Sequence, residues 1–165
     1  MEETDRALPE AETGDVEPAP PTSLVVGHDR SAGADAALEL ALQLASELHA
    51  PVVILRAWSL VTAPRPANWT FGYVPSEDEL AKAVHDQLVA DTRARVARFP
   101  GVDVTMRVHH RGPAQALIGA SRDARMLVVG SRGLGGFREL VLGSVSDQCV
   151  RYAACPVLVA QRPRR

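Results

Sequence analysis

Lysine is nearly missing from this sequence. Lys82 stands alone among 165 residues, against seventeen arginines. It falls in EDELAKAVHDQL, a helical stretch with no glycine nearby. A Walker-type phosphate loop needs Gly-Lys-Ser/Thr beside its glycines, so that class is excluded. Pyridoxal Schiff-base chemistry would have to use Lys82, and nothing around it suggests this. Cysteine is scarce too. Cys149 and Cys155 make neither a Cys-x-x-Cys pair nor a four-ligand set, and they read by default as small buried hydrophobes. No apolar run approaches the roughly 18 residues of a membrane helix. The N-terminus, MEETDRALPEAETG, lacks the basic and apolar regions of a secretory signal. The net charge of −2 gives no reason to expect nucleic acid or acidic membrane as partner. A single cytoplasmic domain is the expectation.

What is present divides unevenly. Residues 1–22 hold seven acids and one arginine, with Pro9, Pro18, Pro20 and Pro21 among them. They are expected to form a disordered acidic tail. Residues 162–165 are expected as a short basic tail. Between them, 23–161 alternates short apolar runs with longer helical stretches. Strands are expected at 23–28, 51–58, 102–110, 125–130 and 156–161. Helices are expected at 31–50, 76–99, 113–124 and 143–153. In the first helix Ala34, Ala37, Leu38, Ala41, Leu44, Ala45 and Leu48 recur at three and four. Ser76 and Glu79 form a capping box for the second, and Pro113 suits a first turn. This βαβαβαβαβ order implies an α/β fold with right-handed crossovers and a parallel sheet. Ligands bind such sheets beyond the carboxyl ends of the strands. The loops after Gly27, Trp58, His110 and Gly130 are therefore the places to look.

The stretch VVGSRGLGGFRELVLGSVSDQ (128–148) is the most informative. A buried strand ends at Gly130, a loop carries Gly133, Gly135 and Gly136, and Gly143-Ser144 opens a helix. Glycines let backbone N–H groups approach an anion, and a helix start adds unpaired N–H groups. Arg132 and Arg138 can add charge. Read this way the loop binds phosphate; read otherwise, Gly130, Gly133 and Gly143 are turn and cap residues.

The spacing Gly130-x2-Gly133-x9-Gly143-Ser144 resembles the nucleotide motif of ATP-binding universal stress proteins. LVVGHDRS (24–31) and ACPVLVA (154–160) resemble that family's first strand and closing segment. The resemblance covers about residues 23–161. It implies a Rossmann-like sheet of five parallel strands in order 3-2-1-4-5, with helices on both faces. It implies ATP held between the first and fourth strands, with Mg²⁺ bound along with it. Gly130 and Gly133 would line ribose and phosphates. Gly143, Ser144, Val145 and Ser146 would meet phosphate oxygens. Asp29 would lie near adenosine or the metal–phosphate group, and Val53, or its neighbour Val52, would offer backbone groups to adenine. A homodimer is implied through the last strand, Val157, Leu158 and Val159, whose apolar edge would otherwise be a pairing hazard. Replacing Gly130 is expected to weaken ATP binding and spare the fold.

The chain departs from the family pattern in places. His28 replaces a small apolar residue and Arg30 replaces a glycine, so Arg30 could pair with Asp29 or reach phosphate. Arg111-Gly112-Pro113 stands for Gly-Asp/Asn-Pro, and Arg125 for a common aspartate. The five histidines show no metal-ligand spacing: His109 and His110 point to opposite faces of a strand, and His49 and His85 lack a partner at i+4. The loop 59–75 gathers Trp69, Phe71 and Tyr73 out of seven aromatics in all. It could form a lid, stack on adenine, meet a partner, or be anchored by its own side chains.

Three functions compete. The first is a dimeric, nucleotide-responsive regulator in stress response that hydrolyses ATP slowly or not at all, since no base is placed to activate water. The second is an enzyme of the related pyrophosphatase class, whose first loop would read Ser-Gly-Gly-x-Asp-Ser. This chain has Gly27-His28-Asp29-Arg30-Ser31. The third is a nucleotide-free scaffold. RNA binding through Gly130–Gly133 fails because a strand precedes that loop, whereas a KH loop joins two helices. The regulator is the expectation.

Overall fold

The computed structural model describes residues 16–134 and 142–161. Nine elements alternate: β1 (Leu24–Gly27), α1 (Ala32–Leu48), β2 (Val52–Trp58), α2 (Glu77–Val96), β3 (Val104–His110), α3 (Pro113–Ala120), β4 (Met126–Gly130), α4 (Ser144–Tyr152) and β5 (Val157–Ala160). All strand pairs are parallel and the order is β3-β2-β1-β4-β5. The chain runs outward from β1 to β3, then returns to lay β4 on β1's other side. Strand order therefore reverses between β1 and β4, and their carboxyl ends diverge into a crevice there.

Composition explains the layering. The cores of β1, β2 and β4 are continuous and β-branched, as strands covered on both faces must be. One face packs on α1 and α2: Leu24, Val26, Val52, Ile54 and Val128 meet Leu38, Leu42 and Leu88. The other packs on α3 and α4: Val25, Val53, Leu55, Leu127 and Val129 meet Leu117, Ile118 and Cys149. The alanines of α1 let that helix lie close to the sheet; Ala37 and Ala41 are wholly buried. Ser31 caps α1 by accepting from Ala34 N at 3.1 Å. Ser76 and Glu79 complete the capping box of α2, and Pro113 starts α3. β3 and β5 are the sheet's two edges.

The expected tail needs correction. Residues 1–15 and 162–165 lie outside the described residues, but 16–22 are packed on the domain. Val16 and Ala19 are buried against α3. Val16 fills the space that a side chain at Gly119 would occupy. Ala19 N donates to Ala120 O at 3.0 Å. Arg107 donates to the carbonyls of Glu17 and Pro18, and Arg122 to that of Val16. Two small apolar side chains thus cover a short helix that would otherwise expose its outer face. Among the described residues no helix is long and apolar enough to cross a membrane.

Candidate functional site

A cleft opens at the β1/β4 crevice. Its floor is Gly27, Val129 and Gly130. One wall is the β1–α1 loop with His28, Asp29 and Ser31; the other is Arg132, Gly133 and Leu134. The start of α4 contributes Gly143, Ser144, Val145 and Ser146 at one end, and Leu55, Ala57, Pro113 and Leu117 form an apolar part of the lining. The two differ in chemistry. Gly143 caps α4 without a side-chain hydrogen bond, so the helix presents its first turn to the cleft. The apolar part offers carbon surface suited to a flat ring.

Seven of the eight residues expected here line this cleft. Val53 does not. It is the second residue of β2, near the strand's amino end, with its side chain in the core beside Val25 and Leu55. Leu55 and Ala57, two and four residues further along the strand, reach the carboxyl edge instead. In a strand apolar at nearly every position, no alternation marks where the buried part ends. Ser146 lines the cleft but is buried, and its hydroxyl is within hydrogen-bond distance of Ser131 O (3.1 Å) and Gly143 O (3.0 Å). It ties the two ends of the glycine loop together. Gly135, Gly136 and Arg138 lie outside the described residues.

Asp29 spans the cleft. Its Oδ1 accepts from Ser31 N at 3.0 Å and its Oδ2 from Leu134 N at 3.2 Å. A Cβ at Gly133 would lie 2.6 Å from Oδ2, so a glycine there is what lets the carboxylate reach the loop. With that bond made the cleft holds about 170 Å³. That is below the roughly 300–1,000 Å³ usual for a ligand pocket. Gly130 has another reason to be glycine. A Cβ there would sit 2.6 Å from Gly33's backbone, so replacing it disturbs the contact of β4 with α1. The expectation that a larger residue spares the fold is not met by this geometry.

The residues flanking Asp29 build a polar network that sequence reasoning missed. His28 is buried; its Nε2 donates to Asp35 Oδ1 at 3.1 Å. Arg56, buried on β2, donates through Nη2 to His28 Nδ1 at 2.8 Å and through Nε to His28 O at 2.9 Å. Arg56 also pairs with Asp91 (2.9 Å), and Arg95 with Asp35 (3.0 Å). Burial is the main cause holding the His28 imidazole below its ordinary pKa; the Arg56 charge adds to it and Asp35 opposes it. Arg56 is likewise lowered by burial, with Asp91 opposing. Arg30 neither pairs with Asp29 nor turns to the cleft. It takes the left-handed backbone (φ 71°) suited to the glycine it replaces, and its Nε lies 3.4 Å from Asp91. The available signal was one arginine inside an apolar strand, a residue that is buried only when paired.

Two of the three aromatics of the 59–75 loop have partners, one within the loop and one on α2. Arg65 lies over the Trp69 ring at 4.6 Å, and Tyr73 donates to Glu79. Phe71 is 97% exposed. None of its three aromatics lines the cleft. Cys149 is buried, its thiol pushed up to about 12 by desolvation. Among the described residues no group of three or more His, Cys, Asp or Glu is placed to hold a metal ion.

The sequence profile of the universal stress protein family matches residues 22–161. A universal stress protein of Mycobacterium tuberculosis (strain H37Rv) is 33% identical over 138 residues, which is 84% of this chain and 44% of that protein. The chain thus spans less than half the length of such curated relatives. A universal stress protein from Lactobacillus plantarum shares the fold with a TM-score of 0.66 at 21% identity, over 86% of this chain and 99% of that one. A universal stress protein solved in complex with cAMP has a TM-score of 0.63 at 22% identity, over 88% of this chain and all of that one. By domain match, relatives and strand order together, the chain belongs to the universal stress protein family.

Proposed function

We propose that the cleft binds an adenine nucleotide, ATP with its Mg²⁺, and that the protein is a nucleotide-responsive regulator in stress response rather than an enzyme. The observation that carries this reading is the convergence of Gly130, Gly133, Gly143 and Ser144 with an uncapped helix start at the β1/β4 crevice. The phosphates would take the α4 end and the base the Leu55–Ala57–Pro113–Leu117 surface. The cAMP carried by a relative of the same fold is consistent with a base of this type. Asp29 must release Leu134 to admit the ribose, so the bond across the cleft is a closed state that ligand replaces. Mg²⁺ would come with the phosphates, and Asp29 is the one carboxylate among the described residues lining the cleft. Among the described lining residues Asp29 is bonded to Ser31 and Leu134 and His28 to Asp35 and Arg56, which leaves no evident base for water, so hydrolysis is expected to be slow or absent. We place the protein in the cytoplasm as a homodimer through β5, an edge strand carrying Val157, Leu158 and Val159.

A second reading, a nucleotide-free dimeric scaffold, draws on the Asp29–Leu134 bond and the small cleft it leaves. Calorimetric titration of nucleotide-stripped protein with Mg-ATP, AMP and cyclic AMP decides between them. Saturable binding near one per chain supports the regulator. Heat from none of the three leaves the scaffold.

A further inference from the structure

A second hollow adjoins the cleft on the other side of the strand ends. It runs from Asp29 and Leu134 across Arg56, Trp58 and His110 to Val84 and Gln87 of α2, and holds about 620 Å³. The two compartments share only Asp29, Ala57, Pro113 and Leu134. The cleft lies toward α3 and α4. The groove lies toward α2, because Arg56 and Trp58 alternate with Leu55 and Ala57 along β2.

Three features give the groove a chemistry. Arg56 lines it, is only 5% exposed, and its Nη1, itself buried, has no hydrogen-bond partner among the described residues. Its Nε and Nη2 are already committed to His28 and Asp91. The unused nitrogen is therefore held in place rather than searching. Trp58 and His110 stack at 4.3 Å with planes 14° apart, and Glu77 fixes the imidazole through a 3.0 Å contact to Nδ1. That makes a rigid flat surface. Finally, Arg30, Arg56 and Arg111 line the groove; among its described lining residues the one carboxylate is Asp29, bound to Ser31 and Leu134, and Asp91, outside the lining, pairs with Arg56 and lies 3.4 Å from Arg30. A guanidinium held in this way suits a planar carboxylate or phosphate oxygen.

We propose that this groove is a second ligand site for a small planar anion, a ring bearing a carboxylate or phosphate, with its charge on Arg56 and its ring against the His110–Trp58 stack. Because the two compartments share four residues, occupancy of one is felt in the other.

The test uses indole-3-carboxylate and its uncharged amide as probes, titrated calorimetrically into the full chain. The carboxylate should bind one per chain and at least tenfold tighter than the amide. Arg56→Gln should weaken it tenfold or more. Since Arg56 is buried and its loss can unsettle the fold, Gln87→Trp serves as a second variant: it fills the groove from the half-buried face of α2 and should abolish binding. Repeating the titration with saturating Mg-ATP separates this site from the nucleotide site. Retained binding supports two sites. One-for-one displacement by ATP would make the groove part of the nucleotide site and overturn the proposal. So would equal affinity for the amide, or binding unchanged by Gln87→Trp. The nucleotide-free titration stands whether or not the protein binds ATP.

Discussion

Arg56 donates through Nη2 to Nδ1 of His28 across 2.8 Å. A guanidinium cannot accept, so Nδ1 carries a lone pair and the ring's proton lies on Nε2, toward Asp35. The imidazole of the β1–α1 loop is thereby set neutral. Protonating Nδ1 would aim an N–H at a cation and break the bond.

The sign of the pH effect follows. Burial holds the folded pKa of His28 below its ordinary value of 6.5. The unfolded chain therefore binds more protons than the folded one in the window below about pH 6.5. Stability is full above that pH and falls as pH drops toward the folded pKa. Asp35, Asp91, Arg30, Arg56 and Arg95 surround the site. His109, also lowered by burial, acts in the same direction. Urea midpoints measured from pH 8 to 5 should decline, and His28→Gln should flatten part of the slope. A slope unchanged by that variant would contradict the assignment.

Two glycines separate fold from binding. A Cβ at Gly143 would find its nearest neighbours at 3.5 and 3.6 Å, ordinary contact, with φ at −71°. Gly143→Ala should lose only about 0.5–1 kcal/mol, as a poorer N-cap, and tenfold or more in ATP affinity if the phosphates sit at the α4 start as proposed. Gly130→Ala, driven into Gly33, should lose about 1–3 kcal/mol of stability whatever it does to affinity. Thermal melts paired with ATP titrations check both.

Gly133→Ala would push the Asp29 carboxylate away from Leu134. If that bond holds the cleft shut, the variant should bind nucleotide with a faster on-rate, readable by stopped-flow fluorescence of a labelled ATP. An unaltered on-rate would show that Asp29 does not close the cleft.

Val16→Asp places a charge where the side chain is 1% exposed, against α3. About 3 kcal/mol should be lost. Chemical denaturation reads it, and a loss under 0.5 kcal/mol would mean that the segment is not docked in solution.

The dimer proposal has its own probe. Pro156 O and Ala160 O accept from β4, so the strand's two-residue period turns the backbone of Val157 and Val159 to the open edge. Val159→Pro removes an outward donor without touching the β4 ladder. Light scattering should show a folded monomer; a persistent dimer would place the contact elsewhere.

Much of this architecture was legible from local chemistry. The glycine spacing and the alternation of strands and helices located the crevice, and Ser31, Ser76 and Pro113 marked helix starts that the structure keeps. What escaped notice had no periodic signal. Val53, or Val52, was expected at the site and Ala57 was not, because VVILRA is apolar at every position but one and nothing in it marks the carboxyl edge. Ser146 looked like a phosphate donor until its hydroxyl was seen turned to two carbonyls. Val16 and Ala19, two small residues among acids and prolines, read as tail because the helix that they cover lies about a hundred residues away. The network through Arg56 joins three separate stretches of chain, 28–35, β2 and the later turns of α2, which no window of sequence contains.

Gly33 and Gly130 touch backbone to backbone, and Gly33 in turn abuts the carbonyl of Arg132. The two walls of the crevice are therefore seated on one another at their root. Such a joint resists spreading, since any widening there would break close-packed main chain on both sides. Motion that admits a ligand must come from the upper rim, where Asp29 lets go of Leu134. The recess should accordingly behave as a rigid socket with a side-chain latch, so that its capture rate depends on one carboxylate and hardly at all on movement of the sheet.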